Sequence, residues 1–208
     1  FGRSWQELKR PDEARKILAA IPAYANEYPA ARIALAGLDT EAGHPDGAIQ
    51  ALQDLSKTSP VAAAQASVPL FNTLLRAGKA PEAQELALSR RTQTLANSQD
   101  WQTWTLYAAM AAREAKDYAG AIKLLHEMDK DAVTRSAGDL ALLNLLAGKP
   151  ADAQADAANL PDAAPAFVKT FVALQAGAGK PDPRLLSAGT PSAVIADLAA
   201  MSPDDRAA

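Results

Sequence analysis

One six-residue pattern recurs along the chain at a nearly constant interval, and this repetition limits the possible folds more than any other feature. Each copy begins with Gly or Lys, contains an acidic residue and, except in the last copy, ends with Ala. The copies are Lys9–Ala14, Gly43–Ala48, Gly78–Ala83, Lys116–Ala121, Gly148–Ala153 and a weaker Gly179–Arg184. Their last residues are separated by 34, 35, 38, 32 and 31 residues. A fixed period of this length predicts one supersecondary unit that is repeated and stacked.

The residue types within the pattern predict that the unit is a helix, a tight turn and a second helix. Gly is favoured where a helix ends, because it adopts the left-handed conformation at low cost. Pro is tolerated in the first turn of a helix, where its missing N–H has no helical partner. Prolines at or near the start of the second helix stand at positions 11, 45, 81, 150 and 181. The recurring Ala is small, which suits a point where two helices cross closely.

Helical periodicity and turn residues place the helices coarsely. First helices of each pair are predicted near 30–42, 61–77, 100–115, 136–147 and 163–176, with Asp100 as an N-cap. Second helices are predicted near 11–20, 46–57, 81–92, 118–129, 150–160 and 181–188, and a short final helix near 191–201. Alanine, the strongest helix former, supplies 50 of 208 residues. The scarcity of β-branched and aromatic residues argues against β-sandwich, barrel and Rossmann folds.

The pattern resembles the tetratricopeptide repeat (TPR) family. That family has a small residue twelve positions before the recurring Ala, a large apolar residue one position before the small one, and a Pro twelve positions after the Ala. The small residues here are Gly2, Ala36, Ala109 and Ala141. The large apolar residues include Leu35, Leu70 and Leu140, and the prolines are Pro60 and Pro165. Phe71 departs from the small-residue rule. The resemblance implies an all-α fold, a right-handed α-α superhelix (TPR-like solenoid) of about five helix pairs.

The repeat register also predicts the domain organisation. Residues 1–190 divide into helical repeats near 1–28, 29–60, 61–97, 98–133, 134–162 and 163–190, and a C-terminal capping helix and tail follow at 191–208. Phe1 and Trp5 fall in the middle of a first helix. We therefore expect either that the chain begins partway through a repeat or that this helix is short.

In TPR proteins the first helices of the pairs line a concave groove that binds a peptide or a partner protein. The resemblance places the groove at positions fifteen, eleven and eight before the recurring Ala. The residues selected for partner binding are Ile33, Thr40, Val68, Asn72, Leu75, Leu106, Met110, Arg113, Leu142, Leu145 and Lys169. This lining is mostly apolar, although some of it could instead pack against neighbouring repeats. Asn72 matches one position of the family's carboxylate clamp, but Val68 replaces the required Lys.

The residues that carry enzyme chemistry are rare, and we expect no catalytic site, no metal and no cofactor. The chain has no Cys and two His. His44 lies in a predicted turn, and His126 has no second His at helical spacing. Gly177–Lys180 lacks the earlier Gly and the following Ser or Thr of a phosphate loop. Asp152 and Asp156 lie four apart on one helix, where solvation is the default interpretation.

Charge and hydropathy limit the partners. The net charge is −3 and the only basic cluster is Arg90–Arg91, so nucleic-acid binding is not expected. No run of about 18 apolar residues occurs, so we expect no direct membrane insertion. Trp101 and Trp104 could form an aromatic ligand platform, but their spacing favours a core position.

These observations predict a non-catalytic protein–protein interaction scaffold or adaptor. Ala-rich, Cys-free chains of this kind resemble bacterial TPR modules, which implies a role in envelope assembly, secretion or polysaccharide export, in the periplasm or cell envelope rather than the cytoplasm. One alternative is a TPR arm or regulatory module of a larger enzyme or export machine. Another is self-association through the N-terminal repeat, where Phe1 and Trp5 would be exposed. A helical-repeat enzyme is a further alternative.

Overall fold

A computed structural model describes residues 11–128, 133 and 136–158. The helices within these ranges follow one another without an intervening strand. They are α1 (Pro11–Ala19), α2 (Tyr28–Glu41), α3 (Pro45–Ser56), α4 (Pro60–Arg76), α5 (Ala80–Thr92), α6 (Gln99–Glu114), α7 (Tyr118–His126), α8 (Ala137–Leu146) and α9 (Pro150–Ala158). The all-α prediction is confirmed, and the handedness of the superhelix stays a prediction.

Every helix predicted within the described ranges is present, with ends that differ by at most a few residues. The pairs are α2 with α3, α4 with α5, α6 with α7, and α8 with α9, and α1 is the second helix of an earlier pair. The helices predicted near 163–176, 181–188 and 191–201 lie outside the described residues.

The tight turns inside the four pairs share one backbone geometry. A residue with positive φ follows each first helix: Gly43 at 85°, Gly78 at 72°, Gly148 at 72° and Lys116 at 63°. The next residue donates its N–H across the turn to a carbonyl five positions earlier, at 2.8–2.9 Å. The acceptors are the carbonyls of Asp39, Leu74, Ala112 and Asn144. This is the Schellman arrangement that ends a helix, and it confirms the predicted turn at all four positions.

Side-chain caps begin α4, α7 and α6. Ser59 accepts from the N–H of Ala62 at 3.1 Å, and Asp117 accepts from the N–H of Gly120 at 2.9 Å. For α6 the predicted N-cap Asp100 is wrong. Ser98 is the cap and accepts from the N–H of Trp101 at 3.2 Å, while Asp100 lies in the first helical turn. Ser98 has the extended backbone that an N-cap requires.

The recurring alanines are buried. Ala48, Ala83, Ala121 and Ala153 have no exposed surface, and Ala14 has almost none. This burial agrees with the predicted close crossing, at which a larger side chain would have to displace its neighbours. Phe71, which departs from the family pattern, is also fully buried.

The chain divides into two compact units, Phe1–Arg90 and Arg91–Ala208. In the first, α2 contacts α1, α3 and α4, so the first helices of successive pairs are neighbours. Lys79 Nζ lies 2.7 Å from Asp46 Oδ1 and thereby links two successive turns. In the second unit α7 contacts α6 and α8, and α8 contacts α9. The repeat boundaries predicted from the sequence stay a prediction.

Candidate binding groove

The predicted groove residues within the described ranges lie on the first helices of the pairs, with different degrees of exposure. In the first unit, Ile33, Val68 and Leu75 are partly exposed and Asn72 is exposed. Thr40 is buried, and its Oγ1 donates to the carbonyl of Ala36 at 2.8 Å. The Thr40 hydroxyl is therefore hydrogen-bonded within its own helix.

The second unit brings four of the predicted residues together around one pocket of about 290 Å³, counting the part open to solvent. We call it the α6–α8 pocket. It is lined by Leu106, Ala109, Met110 and Arg113 of α6, Leu125 of α7, and Asp139, Leu142 and Leu143 of α8. Leu142 is buried in its wall, while Leu106, Met110 and Arg113 are partly exposed. The Leu145 side chain and all of Lys169 lie outside the described part of the chain.

The pocket is apolar except for Arg113 and Asp139, and these two residues have different environments. Arg113 Nη2 lies 2.9 Å from Glu114 Oε1, so its charge is compensated by a neighbour. Asp139 accepts no hydrogen bond from the residues that the structure describes. Burial raises the pKa of Asp139, and the positive charge of Arg113 partly opposes this rise. Burial has this effect because it disfavours the ionised carboxylate.

Asp139 is a functional candidate that the sequence pattern did not single out. It lies one residue after Gly138, which stands fifteen positions before the recurring Ala153, and three residues before Leu142. Residues three apart share a helix face. Helical spacing from Leu142 could therefore have found Asp139.

The aromatic residues of α6 contact other side chains. The Trp104 and Tyr107 rings meet edge to face at 5.2 Å between centroids, and Arg91 covers Trp101. All three aromatic residues are partly buried. This packing favours the structural interpretation of the aromatic cluster over an open ligand platform.

The remaining polar candidates take structural or solvent-exposed positions. Arg90 Nη2 donates to the carbonyl of Ala63 at 3.0 Å, and Arg91 forms an ion pair with Glu127. Asp156 accepts from Asn144 at 2.7 Å, which holds α9 against α8. His44 and His126 are both exposed.

Neither a metal-binding cluster nor a membrane-spanning helix occurs among the described residues. Across residues 11–128 and 136–158, His, Asp and Glu form no group of three that could hold a metal ion. In the same part of the chain, none of the helices combines the length and the apolar character needed to cross a bilayer.

Comparison with known protein families gives a match to part of the chain. Residues 6–69 match a family model described as Tetratricopeptide repeat. The match covers α1 to α3 and the first part of α4, and it ends before the α6–α8 pocket. No curated protein and no solved structure matches the chain. The two helix pairs that form the pocket have the same turn geometry as the matched pair α2–α3.

Proposed function

Residues 6–69 match the tetratricopeptide repeat family, and from this similarity we propose that the chain is a non-catalytic scaffold or adaptor that binds a partner protein. Tetratricopeptide repeats generally mediate protein–protein interaction. The proposed binding surface is the groove on the first helices of the pairs, with the α6–α8 pocket as its best-defined part. A segment of the partner would place apolar side chains against Leu106 and Met110.

The observation that carries this proposal is the pocket itself. Two first helices that belong to successive pairs, α6 and α8, supply seven of its eight lining residues. The space of about 290 Å³ includes a part that is open to solvent, so a side chain of a bound segment can enter the pocket from the surface.

The test compares two substitutions that add the same charge at different places. Met110→Glu puts a carboxylate into the pocket, whereas Leu95→Glu alters a side chain that is 82% exposed and outside it. We expect affinity capture from a lysate of the source cells, quantified by mass spectrometry, to recover at least one protein with both the parent chain and Leu95→Glu. Recovery with Met110→Glu should fall at least tenfold.

Circular dichroism and urea unfolding must first show that both variants are folded. A partner that folded Met110→Glu retains at full level would place the binding surface elsewhere and contradict the proposal. A chain that captures nothing under any condition would favour the alternative of an arm within a larger machine.

We also propose a bacterial envelope setting, in which the partner takes part in envelope assembly, secretion or polysaccharide export. This proposal is supported by the Ala-rich, Cys-free composition. Fractionation of the source cells with an antibody against the chain tests it, since the protein should then appear with periplasmic or envelope markers. Recovery with cytoplasmic markers would contradict it.

A further inference from the structure

The α6–α8 pocket combines an apolar wall with a carboxylate that forms no ion pair with the described residues. Leu106, Met110 and Leu142 supply the wall, and Asp139 lies beside Leu142 and Leu143 on α8. Asp139 has no ion pair and no hydrogen bond within the described residues. A carboxylate in an apolar pocket is costly to keep ionised unless a cation approaches it.

Arg113 is the cation among the described residues that line the pocket, but it forms no ion pair with Asp139. Its guanidinium pairs with Glu114 at 2.9 Å, and it acts on Asp139 only through longer-range Coulomb attraction. With Asp139 ionised, the side chains of Arg113, Glu114 and Asp139 together carry one net negative charge. These described side chains therefore favour a positively charged ligand group over a negatively charged one.

We propose that the α6–α8 pocket selects a partner segment in which a Lys or Arg adjoins a large apolar side chain. The apolar side chain lies against Leu106 and Met110, and the cationic group pairs with the carboxylate of Asp139. This inference rests on the proposed function, and it adds the chemistry of the bound segment. It predicts the opposite charge preference to a carboxylate clamp, which recognises an anion.

The test is selection from a phage-displayed library of random twelve-residue peptides, carried out on the full chain and on two variants. Selection on the parent chain should enrich peptides that have Lys or Arg within two positions of Leu, Ile, Phe or Met. Selection on Asp139→Asn should keep the apolar residues and lose the enrichment of basic ones. Selection on Met110→Glu should lose the enrichment of apolar residues, because a carboxylate replaces part of the apolar wall.

The strongest selected peptide then gives a direct measurement by fluorescence anisotropy. Replacing its Lys by the uncharged norleucine should raise the Kd at least fivefold for the parent chain and less than twofold for Asp139→Asn. Arg113→Gln provides an independent variant: it removes the competing cation, so the norleucine penalty should exceed that of the parent chain.

The outcomes separate the two proposals. Apolar peptides without basic enrichment, or an unchanged preference for Lys in Asp139→Asn, would overturn the charge selectivity and leave groove binding standing. The absence of any peptide that binds the parent chain better than Met110→Glu would overturn both.

Discussion

The guanidinium carbon of Arg91 lies 4.2 Å from the centre of the Trp101 ring, in a cation–π contact. The same guanidinium forms an ion pair with Glu127, the C-cap residue of α7. Trp101 is in the first turn of α6, and α6 packs against α7. One side chain thus connects the start of α6 to the end of α7 within the second unit.

We expect Arg91→Ala to lower the free energy of unfolding by about 1–2 kcal/mol. A cation–π contact is worth about 0.5–2 kcal/mol and a partly exposed ion pair about 0–1 kcal/mol. Arg91 Nε is buried without a partner in the described structure, which reduces the benefit of the native side chain. Urea unfolding followed by circular dichroism measures the change.

Two further variants show whether the stacked plane of Arg91 matters. Arg91→Lys keeps the charge but loses the flat guanidinium, so its effect should lie between those of the parent chain and Arg91→Ala. Arg76→Ala, on the exposed end of α4, should change stability by less than about 0.5 kcal/mol. Equal losses in Arg91→Ala and Arg76→Ala would show that the contacts of Arg91 add nothing.

The contrast between the turns and Arg91 shows which features of the fold can be predicted from sequence. The turns and helix starts were predictable because Gly and Pro act on the backbone within a few residues of themselves. The contacts of Arg91 join residues up to 36 positions apart, and no local pattern encodes them. The α6 cap lies between these cases, since Ser98 and Asp100 are both good caps and only the extended backbone at Ser98 decides between them.

In the candidate site, too, the sequence predicts the positions that follow the repeat but not the contacts between distant residues. The repeat register alone selects Leu106, Met110, Arg113 and Leu142, because every pair presents equivalent positions, and all four line the pocket. The register does not show that Leu142 is buried, or that Asp139 lies in the pocket without an ion pair within the described residues. Burial and charge pairing depend on how α6, α7 and α8 pack together, which the period does not specify.

Lys116 offers a way to stabilise the chain, because it occupies the turn position that Gly takes in three other pairs. A residue with a side chain costs roughly 1–2 kcal/mol in the left-handed conformation, and Gly costs about 0.5–1 kcal/mol more backbone entropy on folding. Lys116→Gly should therefore raise the free energy of unfolding by up to about 1 kcal/mol. The reverse change at an equivalent turn, Gly78→Ala, should lower it by about 1 kcal/mol.

A glycine with ordinary backbone angles is the control for these turn variants. Gly37 lies inside α2, and a Cβ added there would meet no heavy atom within 4 Å. Gly37→Ala should stabilise the chain by about 0.5–1 kcal/mol in the same urea assay. A loss of stability in Lys116→Gly would mean that the lysine side chain contributes more than its backbone strain costs.

The recurring alanines predict a steric effect that depends on position within one helix. Ala48 is fully buried and Ala51 is exposed, although both lie in α3. Ala48→Leu should lower the free energy of unfolding by about 1–3 kcal/mol, because a packed crossing has no room for three more carbons. Ala51→Leu should change it by less than about 0.5 kcal/mol. Similar urea midpoints for the two variants would contradict the close crossing of α2 and α3.

Asp139 predicts a pH dependence of stability whose sign follows from its environment. Burial raises the pKa of Asp139 in the folded chain, with Arg113 opposing part of the rise. The folded chain therefore binds this proton more tightly than the unfolded chain, where the pKa is about 4. The stability that this group contributes is fully present below about pH 4 and is lost as the pH rises through the folded-state pKa.

Replacing Asp139 by Asn removes this titration, so the variant should gain stability relative to the parent chain as the pH rises from about 3 to about 7. Urea unfolding of both proteins across that range measures the difference. An NMR titration of the Asp139 carboxyl carbon gives the pKa directly, and in Arg113→Gln this pKa should rise further because the opposing cation is gone. A pKa below the ordinary aspartate value would contradict the buried, unpaired carboxylate, and the selectivity proposed for the pocket would lose its structural basis.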